Sequence, residues 1–259
     1  MSDITVLGIF VADISFLGNK IPSTGETILG DSYNIGPGGK GCNQAIAISR
    51  LGGKVNFISK LGNDDYGKLA IDKLKKDNIN TSNIIISNKY KTGVAGIHVD
   101  RNTGKNAITV VRGAPSTLTS KEIDTKLFKQ SKIFLTQLEI PIAVTLDCLK
   151  AAKEYGLINI LNPAPACELS NDFFKLIDYF TPNESEAEFY TGVRINNEND
   201  AKTSAKKLIE MGIKKVIITL GEKGLFYSDG KEDIFMKASS DKAIDTTGAG
   251  DAFNGGFSF

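Results

Sequence analysis

The chain of 259 residues is long enough to bury one large core, and its formal net charge of +1 carries no polyelectrolyte signature for nucleic acid or an anionic membrane surface. Three widely spaced cysteines (Cys42, Cys148, Cys167) without a CxxC pair argue against a disulfide scaffold or a zinc site, and the single histidine, His98, argues against a multi-histidine metal centre. The amino terminus has no basic region and no apolar run approaches membrane-spanning length, so a cytoplasmic protein without signal peptide or membrane segment is expected.

Residues 4–9 form an apolar run that predicts a buried first strand, with Asp13 delivered at its carboxyl end, where open α/β sheets hold ligands. Residues 15–35 alternate loosely and are broken by glycine, as do residues 92–111 with Gly93, Gly96 and Gly104. Two such half-exposed antiparallel pieces are expected to meet as a small β lid, within about residues 14–36 and 92–112. His98 lies in the second piece and reads as a structural strand residue.

Between the pieces, Gly36-Pro37-Gly38-Gly39-Lys40-Gly41-Cys42-Asn43-Gln44-Ala45 runs into an apolar helix over 45–51. Gly36, Gly38 and Gly41 satisfy the bare GxGxxG pattern, but neither the buried opening strand nor the βαβ context of a dinucleotide site surrounds them. A P-loop would need glycine in place of Asn34 and Ser or Thr in place of Gly41. A plain glycine turn remains open. Alternatively, Lys40, Asn43 and Gln44 at a helix start suit a hydroxyl-rich ligand, because ammonium and amide groups donate to sugar oxygens.

From residue 55 the rhythm becomes strand and helix. Strands are predicted at 55–59, 133–136, 157–161 and 215–220, with another ending at Phe180; helices are predicted at 66–76, 141–155 and 198–211. This alternation predicts a doubly wound α/β fold, a mainly parallel sheet with helices on both faces. Asp13, Glu139, Asn183 and Gly221 all follow predicted strands, so one rim of the sheet collects them. Asn183 and Glu186, three apart on a helix, are expected to share a face and to serve Mg²⁺ as hard oxygen ligands; a solvated acidic helix start with Glu184 and Glu188 is the alternative. Gly221 and Gly224 let a nucleotide lie against backbone, or merely close a hairpin.

The last stretch, Asp245-Thr246-Thr247-Gly248-Ala249-Gly250-Asp251-Ala252-Phe253-Asn254-Gly255-Gly256, places glycines at an expected helix start. Free N–H groups there form an anion site, and Asp251 beside them is placed to take a proton from an attacking hydroxyl during phosphoryl transfer. Asp251 as a mere helix cap is the other reading.

The ordered set of Gly38–Ala45, Asn162-Pro163-Ala164-Pro165-Ala166, Thr181-Pro182-Asn183-Glu184 and residues 245–251 resembles the ribokinase-like (PfkB) carbohydrate kinase family, from the first strand to the last residue. The resemblance implies a single kinase domain over 1–259, a homodimer formed through the lid, and ATP-dependent phosphorylation of a pentose, foremost D-ribose. It implies Asp251 as base, with Gly248, Ala249 and Gly250 as anion hole. Sugar contacts would come from Asp13, Gly39, Lys40, Gly41, Cys42, Asn43 and Glu139. ATP would meet Asn183, Thr219, Leu220, Gly221, Glu222, Lys223, Gly224 and Gly250. Glu186 would organise Mg²⁺ through water, and Asp245 with Thr247 would hold an activating K⁺.

The sequence departs from the family pattern at two points. Val11 stands where members usually carry asparagine against the sugar, which implies greater tolerance of 2-deoxyribose. The sequence ends at Phe259, where relatives continue through helices that wall the adenine, so weaker nucleotide binding is expected. A deoxyribose or nucleoside kinase and a non-catalytic sugar-binding protein are the competing expectations. A dinucleotide-dependent oxidoreductase would rest on the glycine pattern alone.

Overall fold

The computed structural model describes residues 3–239 and 246–259. The chain opens with β1 (Ile4–Leu7), then leaves the body for β2 (Val11–Gly18) and β3 (Ser32–Gly38). It returns through α1 (Lys40–Arg50), β4 (Val55–Gly62), α2 (Asp65–Lys76) and β5 (Ile84–Ser87), and leaves again for β6 (Gly93–Asp100) and β7 (Asn106–Val111). The second half alternates: β8 (Ile133–Thr136), α3 (Ile142–Glu154), β9 (Ile158–Leu161), the short α4 (Asn171–Phe174) and β10 (Tyr179–Phe180). Then come α5 (Glu184–Thr191), α6 (Glu198–Glu210), β11 (Lys215–Thr219), the hairpin partners β12 (Leu225–Ser228) and β13 (Asp233–Met236), and α7 (Ala249–Ser258).

The nine-stranded body sheet runs β13-β12-β11-β10-β9-β8-β1-β4-β5, parallel from β11 to β5 and antiparallel only at the β11–β12–β13 edge. This is the doubly wound arrangement that strand–helix alternation predicts. Strand β1 is buried throughout, and alternation sends its side chains to two separate cores. Val6 joins Cys42, Ala45, Ile48, Phe57 and Leu74 beneath α1 and α2. Leu7 joins Phe134, Val144, Ala187, Ala201 and Leu208 beneath α3, α5 and α6. Helix α7 lies on the α1 side, where Phe257 meets Tyr179 edge to face at 5.0 Å.

The small separate sheet runs β3-β2-β6-β7. Its pairs β2–β3 and β6–β7 are antiparallel as expected, but the two hairpins join through a parallel β2–β6 contact running from Val11↔Gly93 to Gly18↔Asp100. His98 is a strand residue here, stacked on Phe16 with centroids 5.4 Å apart.

Two sequence expectations need correction. Asp13 is not at the end of the first strand: β1 stops at Leu7, and Asp13 pairs with Gly36 and Ala95 inside the small sheet. The break falls at Gly8, packed so tightly that a Cβ there would lie 2.5 Å from Gly41 Cα, while Ile9 and Phe10 stay buried beyond it. An unbroken apolar run therefore conceals a change of sheet. Helix α1 also starts at Lys40 rather than at residue 45, its first turn disguised by glycine.

Candidate active site

The Gly38–Gly41 turn brings carboxylates onto the start of α1. Gly38 is buried against Asp13, whose carboxylate occupies the space a Gly38 side chain would need. Gly39 holds φ at 93°, and a Cβ there would lie 2.5 Å from Ile9 O, so both conformation and contact require glycine. As N-cap, Gly39 has no side chain to offer the first helical N–H groups. Glu139 supplies the acceptor instead: Lys40 N donates to Glu139 Oε2 at 2.8 Å. Burial pushes the carboxyls of Asp13 and Glu139 up from their ordinary values, and for Glu139 the bond from Lys40 N–H works against that rise.

One turn further along α1, Asn43 Nδ2 donates to Asp251 Oδ2 and Gln44 Nε2 donates to Asp251 Oδ1, each at 3.0 Å. Asp251 is 8% exposed in the first turn of α7, whose N-cap is Gly248 in the left-handed region at φ 74°. Both its carboxylate oxygens are held by side chains of α1. Asn43, expected to donate to a sugar, spends an amide hydrogen on this aspartate.

A cavity of about 210 Å³ opens beside Asp251, walled by Gly248, Ala249 and Gly250 on one side and Lys40, Asn183, Glu186 and Thr219 on the others. The start of α7 lies along this wall: the Ala249 N–H, expected in the anion hole, donates to Thr246 O at 3.1 Å, which leaves the N–H groups of Gly248 and Gly250 for anionic oxygen. Asn183 is the N-cap of α5 rather than a residue on its face: Asn183 Oδ1 accepts from Glu186 N at 2.8 Å, and Glu186 Oε2 accepts from Asn183 N at 2.9 Å. This reciprocal capping box fixes both side chains at the cavity edge. Burial pushes the Glu186 carboxyl up, opposed by the Asn183 N–H bond and the Lys40 charge.

Other expected contacts fall elsewhere. Cys42 is fully buried in the core beneath α1, with its N–H on Ile9 O at 3.2 Å, so it offers a ligand nothing. Gly41 is buried against Gly8. Val11 is 3% exposed and packs in the core at the root of the small sheet. Leu220 is a core residue whose N–H bonds Gly224 O at 2.8 Å, closing the β11–β12 hairpin, and Gly221, Glu222 and Lys223 form its exposed turn. Of that turn and the strand before it, Thr219 alone reaches the cavity wall. Thr247 precedes the N-cap of α7, and Asp245 lies outside the described residues.

The sequence reading did not single out Gln137, Asn162, Thr181 and Asn254 as site residues, although all are buried polar groups at the site. Gln137 Nε2 donates to Gln44 Oε1; Gln44 Nε2 also donates to Asn162 Oδ1 at 3.1 Å. Asn162 Nδ2 donates to Thr181 O at 3.1 Å, Thr181 Oγ1 to Asn254 Oδ1 at 2.6 Å, and Asn254 Nδ2 to Gly250 O at 2.8 Å. A usable signal was present: Gln137, Asn162 and Thr181 each sit immediately past a buried strand.

Residues 1–258 match the pfkB family carbohydrate kinase profile. The chain is 41% identical over 256 residues to the ribokinase of Haemophilus influenzae, an alignment covering 98% of this chain and 83% of that one. It is 34% identical over 258 residues to the deoxyribokinase of Salmonella typhi, covering 98% and 84%. Its fold superimposes on Arabidopsis thaliana ribokinase complexed with ribose and ATP with a TM-score of 0.90 at 29% identity, covering 99% of this chain and 84% of that one.

Proposed function

The chain belongs to the pfkB family of carbohydrate kinases, and from that premise we propose that it transfers the γ-phosphoryl group of ATP to the primary hydroxyl of D-ribose, giving ribose 5-phosphate and ADP. The observation that carries this reading is the seating of Asp251, a buried carboxylate held by two amide donors at the lip of a cavity walled by the start of α7. The sugar lies between Asp13, Glu139 and Asp251, with its reacting hydroxyl against Asp251. As that oxygen attacks in line, its proton passes to the Asp251 carboxylate, and charge on the transferred group meets the N–H groups of Gly248 and Gly250, the Ala249 N–H being held by Thr246 O. Lys40 adds a positive charge on the same cavity wall.

Mg²⁺ fits the residues present. Among the described residues no cluster of three acidic, histidine or cysteine side chains could ligate a metal unaided, and an ion that keeps waters and phosphate oxygens needs no more than one nearby carboxylate. Glu186, with Asn183 beside it, supplies that carboxylate at the cavity edge. Bound there, Mg²⁺ would neutralise phosphate charge. The family resemblance adds K⁺ near Asp245 and Thr247 as activator. No described helix is long and apolar enough to cross a membrane. Three free cysteines support a reducing compartment, the cytoplasm, as the site of this reaction.

Register places Asp13, Ala95 and Val110 in one row of the small sheet and Ile97 and Ile108 in the next row but one, on the same face. Ile108 and Val110 are 54% and 51% exposed. This exposed apolar strip supports the homodimer reading, in which a second copy's small sheet would cover it. The second reading, preference for a 2-deoxy sugar, is favoured by Val11: a buried aliphatic side chain makes no hydrogen bond to a hydroxyl.

The test is ADP release over a sugar panel with Mg²⁺ and K⁺, for wild type and Asp251→Asn. Turnover of ribose that Asp251→Asn loses while still binding sugar is the expected result. Sugar binding by wild type without any turnover would overturn the kinase reading in favour of a sugar-binding protein.

A further inference from the structure

We propose that Gln44 is a positioning residue for Asp251, the working end of a directed relay of buried amides that fixes the base and the anion-hole backbone in one frame. The proposal rests on Asp251 being the base. An isolated glutamine amide can turn over and present oxygen where nitrogen was, which would place two acceptors face to face at the carboxylate. Here the sense of Gln44 is set from both ends, by two acceptors at its nitrogen and a donor at its oxygen, while Gln137 Oε1 at the start of the relay is buried without a partner. Gln137 donates into Gln44 Oε1, so the Gln44 nitrogen is the end facing Asp251 Oδ1 and Asn162 Oδ1. Asn162 is oriented in turn by its bond to Thr181 O, an acceptor with no alternative sense.

The relay continues to the other half of the site. Thr181 donates to Asn254 Oδ1, which turns the Asn254 nitrogen onto Gly250 O in the first turn of α7. The carboxylate and the peptides that face the transferred phosphoryl group are thereby tied to the ends of β8, β9 and β10 rather than to α7 alone. Gln44, Gln137, Asn162, Thr181 and Asn254 are each 7% exposed or less, and Gln44 reaches neither the cavity wall nor solvent. A buried glutamine in an otherwise apolar stretch of helix needs a reason, since leaving its groups unpaired would be costly. Presenting one nitrogen to the carboxylate in a fixed direction supplies it.

The charged groups facing Asp251 are Lys40 from α1, Glu139 from the segment after β8 and Glu186 from α5. The experiment is steady-state kinetics with ribose and MgATP across pH for wild type, Gln44→Met, Gln137→Met and Asp251→Asn, with sugar affinity from calorimetry. For Gln44→Met the expected result is a kcat lower by about 10- to 100-fold, the loss typical of a misplaced reacting group, with KM for ribose within about twofold. The acidic limb of its kcat profile moves to higher pH, because a carboxylate that loses a donor holds its proton more tightly.

Gln137→Met does not touch Asp251 and leaves Gln44 Oε1 without its donor, so the amide is anchored from one end only; its kcat should fall in the same direction with the same shift of the limb. Should Gln44→Met fail to fold, this variant decides alone. Lowered stability with kcat and the acidic limb unmoved would overturn the relay and leave a purely structural network. Wild-type turnover in Asp251→Asn would overturn the base assignment and the relay with it. An inactive Asp251→Asn beside an unaffected Gln137→Met would overturn the relay only.

Discussion

The Asp13 carboxylate lies over Gly38, on the neighbouring strand of the small sheet, in the volume where any side chain on Gly38 would begin. The small sheet's acid and the helix-start turn thus share one space. Gly38→Ala should displace the carboxylate and leave α1 in place. The expected outcome is a KM for ribose raised by about 10-fold or more, corresponding to one charge-assisted hydrogen bond, with thermal unfolding little changed. An unaltered KM would remove Asp13 from the sugar site.

Val11→Asn tests what the buried valine does to specificity. If it leaves a sugar hydroxyl unmatched, restoring an amide should improve kcat/KM for ribose relative to 2-deoxyribose by about 2- to 10-fold, the worth of one neutral hydrogen bond. An unchanged ratio, measured by the same ADP-release assay, discards the idea.

Gly255 is where α7 meets α1: a Cβ there would lie 2.5 Å from Ala47 Cβ and 2.9 Å from Gln44 O. Gly255→Ala should push the helices apart, costing about 1–3 kcal/mol in urea denaturation as overpacked sites do. Since the bonds from Asn43 and Gln44 to Asp251 cross this same seam, kcat should fall as well.

Asp178 governs part of the acid stability. Burial pushes its carboxyl up, but bonds from Lys153 and Lys214, both at 2.7 Å, and from Asn159 N–H at 2.9 Å outweigh this and hold it below the ordinary aspartate value of 3.8. A depressed folded-state value means stability that is present above the unfolded value and lost as pH falls through the folded one. Asp178→Asn should therefore lose about 1.5–3 kcal/mol at pH 7, and the gap to wild type should narrow below pH 3.8 in urea melts.

The body was legible because parallel strands covered on both faces read as unbroken apolar runs between amphipathic helices; β8 falls at Ile133–Thr136, where the sequence places it. The same rule hid the turn at Gly8, since Ile9 and Phe10 remain buried after the strand has ended. Cys42 was misread because the start of α1 was: once Lys40 opens the helix, positions 42, 45 and 46 share its inner face. Asn183 and Glu186 carried a readable capping-box spacing, yet a helix face was inferred instead. What no local pattern contains is the meeting of α1 with α7. Gln44 and Asp251 are far apart in sequence, and only the closed sheet brings them together.

The parallel seam between β2 and β6 has a consequence for how the small sheet is held together. Parallel neighbours cannot be joined by a tight turn, and between these two the chain runs back through α1, β4, α2 and β5 of the body. Cut out as a peptide, the four strands would be two unconnected hairpins without the scaffold that sets them side by side. The small sheet therefore owes its middle seam to the body elements that lie between its halves in the chain.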